Sequence, residues 1–363
     1  MKKTVSLLII IISLLTALIS CGPKYEPVPS TEEEARVIMT LTFDGEIYEI
    51  KYELYRAFFL TYKSEVDGGD ESVWTGESAD EYIARIDKLI VSRAAEIFAT
   101  IHEARKIGFN PYSNTVDNEI HDYVRVSVEG GSFGGSLIEG EGSYEKYLSA
   151  LKDMYLNYSV QDLLIRYSLA SAALEEHYIG NPDDIIYEGG TFEYEESDVR
   201  DYYFSDECAS YMQIFLYSHA YDATRVEEIR NSVASQGTKK AVAEYMINFS
   251  TASYEEIFDG SVLGKYELDR AYFADLNNAL FALDIGETSE PIKVGRGNDE
   301  GYYITYKFSP NQDYFDNHYE LVEKSFILNA LGKRLAECEA ALVSSKIISP
   351  AYSEIIHSEI GMD

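Results

Sequence analysis

From residue 80 onward, apolar side chains recur every three or four positions: Ile83, Ile86, Ile90, Ala94, Ile97 and Ile101. That spacing keeps one stripe of a helix facing a core. It predicts a helix over 80–107, about 40 Å long at 1.5 Å per residue, ended by Gly108. Helical spacing also marks 51–65, 115–128 and 144–178. It returns over 313–347, with Tyr319, Val322, Phe326, Leu331, Leu335 and Leu342 on the apolar side. Residues 36–50 alternate instead, around Asp44-Gly45, which predicts two strands joined by a tight hairpin turn. The polar stretches 67–78 and 129–142 predict loops. The second holds six glycines, but no Gly-Lys-Ser/Thr follows them and no strand precedes them, so it is not a phosphate loop.

A different order begins at 196. Glu196 to Tyr203 is an acidic, capped helix start, and Tyr211 to Tyr217 is an apolar strand. Helices are expected over 222–236, 241–248 and 277–283, with a glycine-bounded turn over 260–266. Residues 291–294 and 302–308 predict two further strands. The order strand, helix, helix, turn, helix, strand, strand describes a compact α+β domain. The last helix has no core of its own, so it is expected to pack back on the earlier helices. The α+β domain then becomes an insertion into a helical lobe.

The N-terminus changes the setting. Lys2 and Lys3 precede an apolar run from Val5 to Leu18, and Leu18-Ile19-Ser20-Cys21 closes it. That layout is a secretory signal, and its last four residues resemble a bacterial lipobox, which implies a diacylglyceryl group on Cys21. The competing account is a transmembrane anchor with a bystander cysteine, the run being near the lower limit for spanning. The segment 21–35, with Pro23, Pro27 and Pro29, reads as a solvated tether.

Charge then narrows the partners. The chain has 30 basic residues against 63 acidic ones, a net charge of −33. So acidic a surface disfavours nucleic acid and electrostatic docking on anionic lipid, leaving acyl chains to hold the membrane. Beyond Cys21, only Cys208 and Cys338 remain, without a CxxC spacing. They suit a disulfide or two buried thiols equally. The six histidines are scattered, and no calcium-type acidic loop occurs. No metal or other cofactor is expected.

Several short segments carry a resemblance. Asp44-Gly45-Glu46-Ile47-Tyr48 before a helix, Glu103-Ala104-Arg105-Lys106-Ile107-Gly108-Phe109 at a helix end, and Glu196 to Tyr203 are each similar to segments of secretion foldases of the SurA and PrsA type. Ala279 to Ile292, with Phe281, Leu283, Gly286, Glu287, Ser289 and Pro291, resembles the parvulin pattern A-x-F-x-L-x-x-G-E-x-S-x-P-V. The resemblance implies a signal peptide (1–20), a tether (21–35), a helical chaperone lobe (36–195), a parvulin-like domain (196–310) and a C-terminal helix (311–363) that completes the lobe. It further implies peptidyl-prolyl isomerase chemistry and unfolded exported polypeptides as partners, outside the cytoplasm.

The parvulin positions are altered, however. Gln213 stands where the family has its first-strand histidine and Tyr303 where it has its second. Ala252 stands where it has a cysteine or aspartate. The proline pocket stays apolar at Tyr272, Leu276 and Phe281. Two activities fit: a binder of extended, proline-containing segments with little or no isomerase activity, or a slow isomerase in which Gln213 and Tyr303 still donate hydrogen bonds. The 31 tyrosines suit the holding of varied unfolded chain as well as helix packing. From other classes, a non-catalytic envelope adaptor and a solute- or glycan-binding lipoprotein compete. The last would need two similar βαβ lobes, a pattern the chain lacks.

Overall fold

The structure, a computed structural model, describes residues 25–129, 142–180, 190–267, 270–295 and 300–360, with the side chains of 64–65 and 270–275 excepted. Cys21, the apolar run before it and most of the glycine-rich segment lie outside the described residues. The fold is α+β, in two compact units: Met1–Ile185 with Leu335–Asp363, and Ile186–Arg334.

In the first unit, β1 (Val37–Phe43) and β2 (Glu46–Lys51) pair antiparallel. Asp44 and Gly45 both take positive φ (50° and 79°), as a two-residue hairpin turn requires. A two-residue strand, Ile347–Ile348, adds to the other edge of β1; helical spacing had carried the last helix through Ile347. The helices are α1 (Tyr52–Asp67), α2 (Ala79–Lys106), α3 (Asn114–Glu129), α4 (Tyr144–Asp153) and α5 (Tyr158–Ile179). Ile86, Ile90, Ala94, Ile97 and Ile101 of α2 are all buried, the stripe that the spacing picks out. Within the loop expected over 67–78, Trp74 turns inward on a short 3-10 helix and donates from Nε1 to Asp67 Oδ2 at 2.8 Å. A second small core joins α3, α4 and α5 through Ile120, Val124, Tyr147, Leu151 and Tyr158.

Residues 25–36, read as part of a solvated tether, are tied down. Glu53 of α1, only 7% exposed, accepts from Ser30 Oγ (2.5 Å), Asn157 Nδ2 (2.8 Å) and Ser159 Oγ (2.9 Å). Asn157 also reaches Glu34 Oε1 at 3.2 Å, and Tyr25 stacks on Tyr144. The proline-rich composition suggested solvation, but a buried carboxylate needs donors, and this segment supplies one. The C-terminal segment is anchored in the same manner. Asp87 of α2 is buried and accepts from Tyr55 (2.7 Å) and Tyr352 (2.6 Å), while His357 Nε2 lies 2.9 Å from the Tyr55 hydroxyl.

In the second unit, α6 (Glu196–Tyr203) leads into β3 (Cys208–Tyr217). Then come α7 (Ala223–Ala234), α8 (Lys239–Met246), α9 (Tyr254–Asp259), β4 (Ser261–Gly264), α10 (Arg270–Ala282), β5 (Ile292–Val294) and β6 (Gly301–Phe308). The strands form one antiparallel sheet in the order β4-β3-β6-β5. Residues 261–264, expected as a turn, are therefore an edge strand, and α10 starts earlier than the spacing indicated. The chain ends in α11 (Gln312–Asn317) and α12 (Tyr319–Ser344). Here too the expected boundary moves: Tyr314, Phe315 and Val322 pack with Val199, Tyr202, Tyr203 and Cys208, so the division falls at Leu335 instead of 310. Aromatic burial on α6 holds this stretch to the inserted unit.

Cys208 and Cys338 are both buried free thiols, and burial pushes each up to about 12, which makes them unreactive near neutral pH. Among the described residues no helix is long and apolar enough to cross a membrane, and no cluster could hold a metal ion.

Burial holds the His357 imidazole below its ordinary value, with Asp87 opposing the shift. The ring is therefore neutral in the fold, whereas the unfolded chain takes up a proton below about pH 6.5. The stability this contributes is present above pH 6.5 and is lost as pH falls toward the folded value. Thermal unfolding between pH 7.5 and 5.5 is expected to show a falling midpoint that flattens in His357→Gln. An unchanged slope would exclude His357 as the titrating group.

Candidate functional site

The two faces of the inserted sheet have opposite chemistry. Even-numbered residues of β3 (Met212, Ile214, Leu216) and of β6 (Ile304, Tyr306, Phe308) form a core with Val226, Ile229, Val233, Val242 and Met246 of α7 and α8. Odd-numbered residues point the other way, because side chains alternate along a strand. On that face Gln213 sits directly opposite Thr305, and Phe215 opposite Tyr303. Gln213 and Tyr303 are thus diagonal neighbours on adjacent strands.

The parvulin-like segment 279–292 builds the surroundings of this face. Its first part is the end of α10, which packs against β3, β5 and β6. Leu280 is fully buried in a cluster with Ala209 and Tyr211, and Phe281 packs against that cluster. Lys307 donates to the Leu283 carbonyl at 2.8 Å and lies 5.7 Å from the Phe281 ring. Next, Asp284 to Glu287 turn the chain, with Gly286 at φ 94°. The strand-like continuation then runs along β6: Gly286 N donates to Lys307 O, Lys307 N to Glu287 O, and Ser289 N to Thr305 O. One motif thereby supplies both the helix over the face and its β6 border.

The expected pocket residues divide. Leu276 is buried, one turn before Leu280. Tyr272 lies a further turn back on α10, and its side chain lies outside the described residues. Ala252 does not join Gln213 and Tyr303; it packs against the apolar core on the opposite face. An alanine at the end of that loop is drawn to the apolar side of the sheet.

Three neighbours escaped the sequence reading. The first is Thr305, fully buried, whose Oγ1 finds no hydrogen-bond partner among the described residues. Gln213, directly across, is half-buried, and its Oε1 is closed off from the surface with no partner among the described residues. The others are Phe215 and Tyr217, which continue an aromatic ladder: Tyr303–Phe215 at 4.9 Å, Phe215–Tyr217 at 4.8 Å and Tyr217–His219 at 5.2 Å between ring centroids. Period-two alternation through Gln213 would have found Phe215 and Tyr217. Gly301 makes room for the ladder, since a Cβ there would come within 2.4 Å of the Phe215 ring and 2.6 Å of the Leu216 carbonyl.

This arrangement offers neutral hydrogen-bonding groups inside an aromatic frame. Tyr211, on the same face, has its phenol pushed well above the ordinary range by burial, so it stays protonated. His219 is exposed at the end of the ladder, beyond β3. No histidine lies within the pair of strands at the site. Two oxygens without a partner among the described residues, both closed off from the surface, are each held at a cost of order 1–3 kcal/mol.

No family model and no curated protein matches this chain. Among solved structures it is similar to the foldase protein PrsA from Streptococcus pneumoniae str. Canada MDR_19A, at 12% identity over 88% of this chain and 98% of that one, TM-score 0.24. It is similar also to PrsA from Bacillus subtilis, at 16% identity over 86% and 93%, TM-score 0.23. A third is the foldase protein (PrsA) from Lactococcus lactis, at 12% identity over 90% and 99%, TM-score 0.23. TM-scores this low leave activity to be argued from the residues.

Two substitutions read out the site. Thr305→Val replaces the unpaired hydroxyl with a methyl of the same shape and is expected to raise stability by about 0.5–1.5 kcal/mol; a loss of stability in denaturant melts would mean the hydroxyl is bonded. Gly301→Ala must displace Phe215 and crowd the Leu216 carbonyl and is expected to cost about 1–3 kcal/mol by overpacking, with the loss relieved in part in the double variant carrying Phe215→Ala. Additive effects in that cycle would separate the two positions.

Proposed function

We propose that this chain is a lipid-anchored, extracytoplasmic binder of unfolded exported polypeptides. Its parvulin-like unit grips extended, proline-containing segments and has little or no isomerase activity. The observation that carries this reading is the aromatic ladder Tyr303–Phe215–Tyr217, which runs out to the exposed ring of Tyr217 on the face bordered by the parvulin-like motif. An extended peptide lying along the open end of that face packs its prolyl and other apolar side chains on the rings of Phe215 and Tyr217.

Catalysis asks for more than grip. Rotation about an X–Pro amide crosses a barrier of about 18–20 kcal/mol. Only interactions stronger with the twisted amide than with the planar one lower it. A prolyl ring is the same in both states, so aromatic walls that hold it stabilise both equally and give affinity without rate. The replacement of both family histidines by Gln213 and Tyr303 points the same way. The lipobox-like ending at Cys21 and the net charge of −33 support anchoring by acyl chains.

The full-length chain is expected to bind proline-containing peptides and to suppress aggregation of a denatured client. Tyr217→Ala should weaken peptide binding about tenfold, the equivalent of about 1.4 kcal/mol. In a peptide isomerisation assay the rate should stay close to the uncatalysed one, with Tyr303→Phe indistinguishable. An enhancement above about 100-fold, in the range of positioned proton transfer, and abolished by Tyr303→Phe, would sink the non-catalytic reading. Failure to bind any peptide would sink the proposal as a whole.

A further inference from the structure

The first described residue, Tyr25, is already part of the fold. Its ring stacks on Tyr144 with centroids 5.0 Å apart, and it packs against the α3–α5 core. The Tyr144 hydroxyl donates to the Glu26 carbonyl at 2.7 Å. Farther along, Ser30 and Glu34 are held through Glu53 and Asn157. The stretch from 25 to 36 is thus a strap bound to the helical unit.

We infer that the face of this unit around Tyr25 and the start of α4 is a membrane-apposed surface, held against the bilayer by a leash of only four residues. The inference rests on the lipoprotein reading of Cys21. From Cys21 to Tyr25 the chain spans at most about 14 Å even when fully extended. Were residues 21–34 a free coil, their root-mean-square reach alone would be about 20 Å, and the body could tumble at any orientation. With the strap docked, α4 cannot leave the headgroup region while the acyl chains stay inserted.

The chemistry of that face agrees with imposed contact and not with attraction. The Tyr25–Tyr144 ring pair, with apolar faces and a hydroxyl edge, suits the polar–apolar boundary of a bilayer. Val28 is 45% exposed in the strap, and Met154 and Tyr155 are exposed at the far end of α4, about 15 Å along a ten-residue helix. Glu26, Glu32 and Glu33 are exposed too. They repel anionic headgroups, so the unacylated chain has no reason to bind lipid by itself.

The test uses the acylated full-length chain in phosphatidylcholine–phosphatidylglycerol vesicles that carry an acceptor dye on their headgroups. A donor fluorophore is placed on Glu145→Cys; the native Cys208 and Cys338 are buried. Strong energy transfer is expected, and a 20-residue Gly–Ser insert between Lys24 and Tyr25, with a reach of about 25 Å, should lower it at least about two-fold. Equal transfer with and without the insert, whether high or low, overturns the short-leash proposal while leaving the lipoprotein reading intact. Mass spectrometry of the N-terminal peptide reads that assumption separately: no diacylglyceryl group on Cys21 overturns both. Unacylated Cys21→Ser chain binding these vesicles as tightly as the parent would overturn the claim that the leash imposes the contact.

Discussion

The pairing of β3 with β6 governs the whole inserted unit. With Gln213 opposite Thr305, every residue of both strands is assigned a face, because side chains alternate with a period of two. Ile214, Leu216 and Ile304 enter the helix-covered core, and burial of each is worth about 1.5–3 kcal/mol. A slip of one residue on either strand would exchange those groups for Gln213, Phe215 or Thr305. The apolar face therefore pins the register, and the opposite face has to accept unpaired oxygens at a cost smaller than the core's gain. The candidate site is in this sense held in place by residues that never touch it.

Buried carboxylates play a comparable part in the helical unit. Glu53 of α1 and Asp87 of α2 are each sequestered with hydroxyl or amide donors around them. A carboxylate removed from water without such donors would be costly, so whichever segments supply them are drawn in. The strap at 25–36 and the C-terminal segment near Tyr352 and His357 meet that need. Two stretches far apart in sequence are fastened by the same physics, while the net charge of −33 is left mainly to solvent-facing positions.

The face bearing Gln213, Thr305 and Tyr303 carries rings and neutral polar groups with one cation, Lys307, whose ammonium is turned to the Leu283 carbonyl at 2.8 Å. That bond, and the Phe281 ring 5.7 Å away, tie the charge to the end of α10 and leave the ladder of Tyr303, Phe215 and Tyr217 uncharged. A net charge of −33 favours solubility and discourages self-association.

Much of this was legible before any coordinates. The Ile86–Ile101 stripe, the Asp44-Gly45 hairpin, the strands at 211–217 and 302–308 and the α+β order all follow from periodicities of 3.6 and 2, which are local properties. So is the motif at 279–292, whose Gly286 and Pro291 mark a turn and a strand start. Other features were not legible, because they depend on who sits opposite. Residues 261–264 became a strand only by pairing with β3, and 25–36 left solvent only because Glu53 required donors. Ala252 went to the apolar face, away from Gln213 and Tyr303. That the Gln213 and Thr305 oxygens find no partner among the described residues is likewise a fact of cross-strand register and burial. The sequence by itself determined the elements, the faces available to each strand and the identity of Gln213 and Tyr303 on them. Only the tertiary structure decided which polar groups would be left without partners, because hydrogen-bond satisfaction is settled between segments that the chain brings together from a distance.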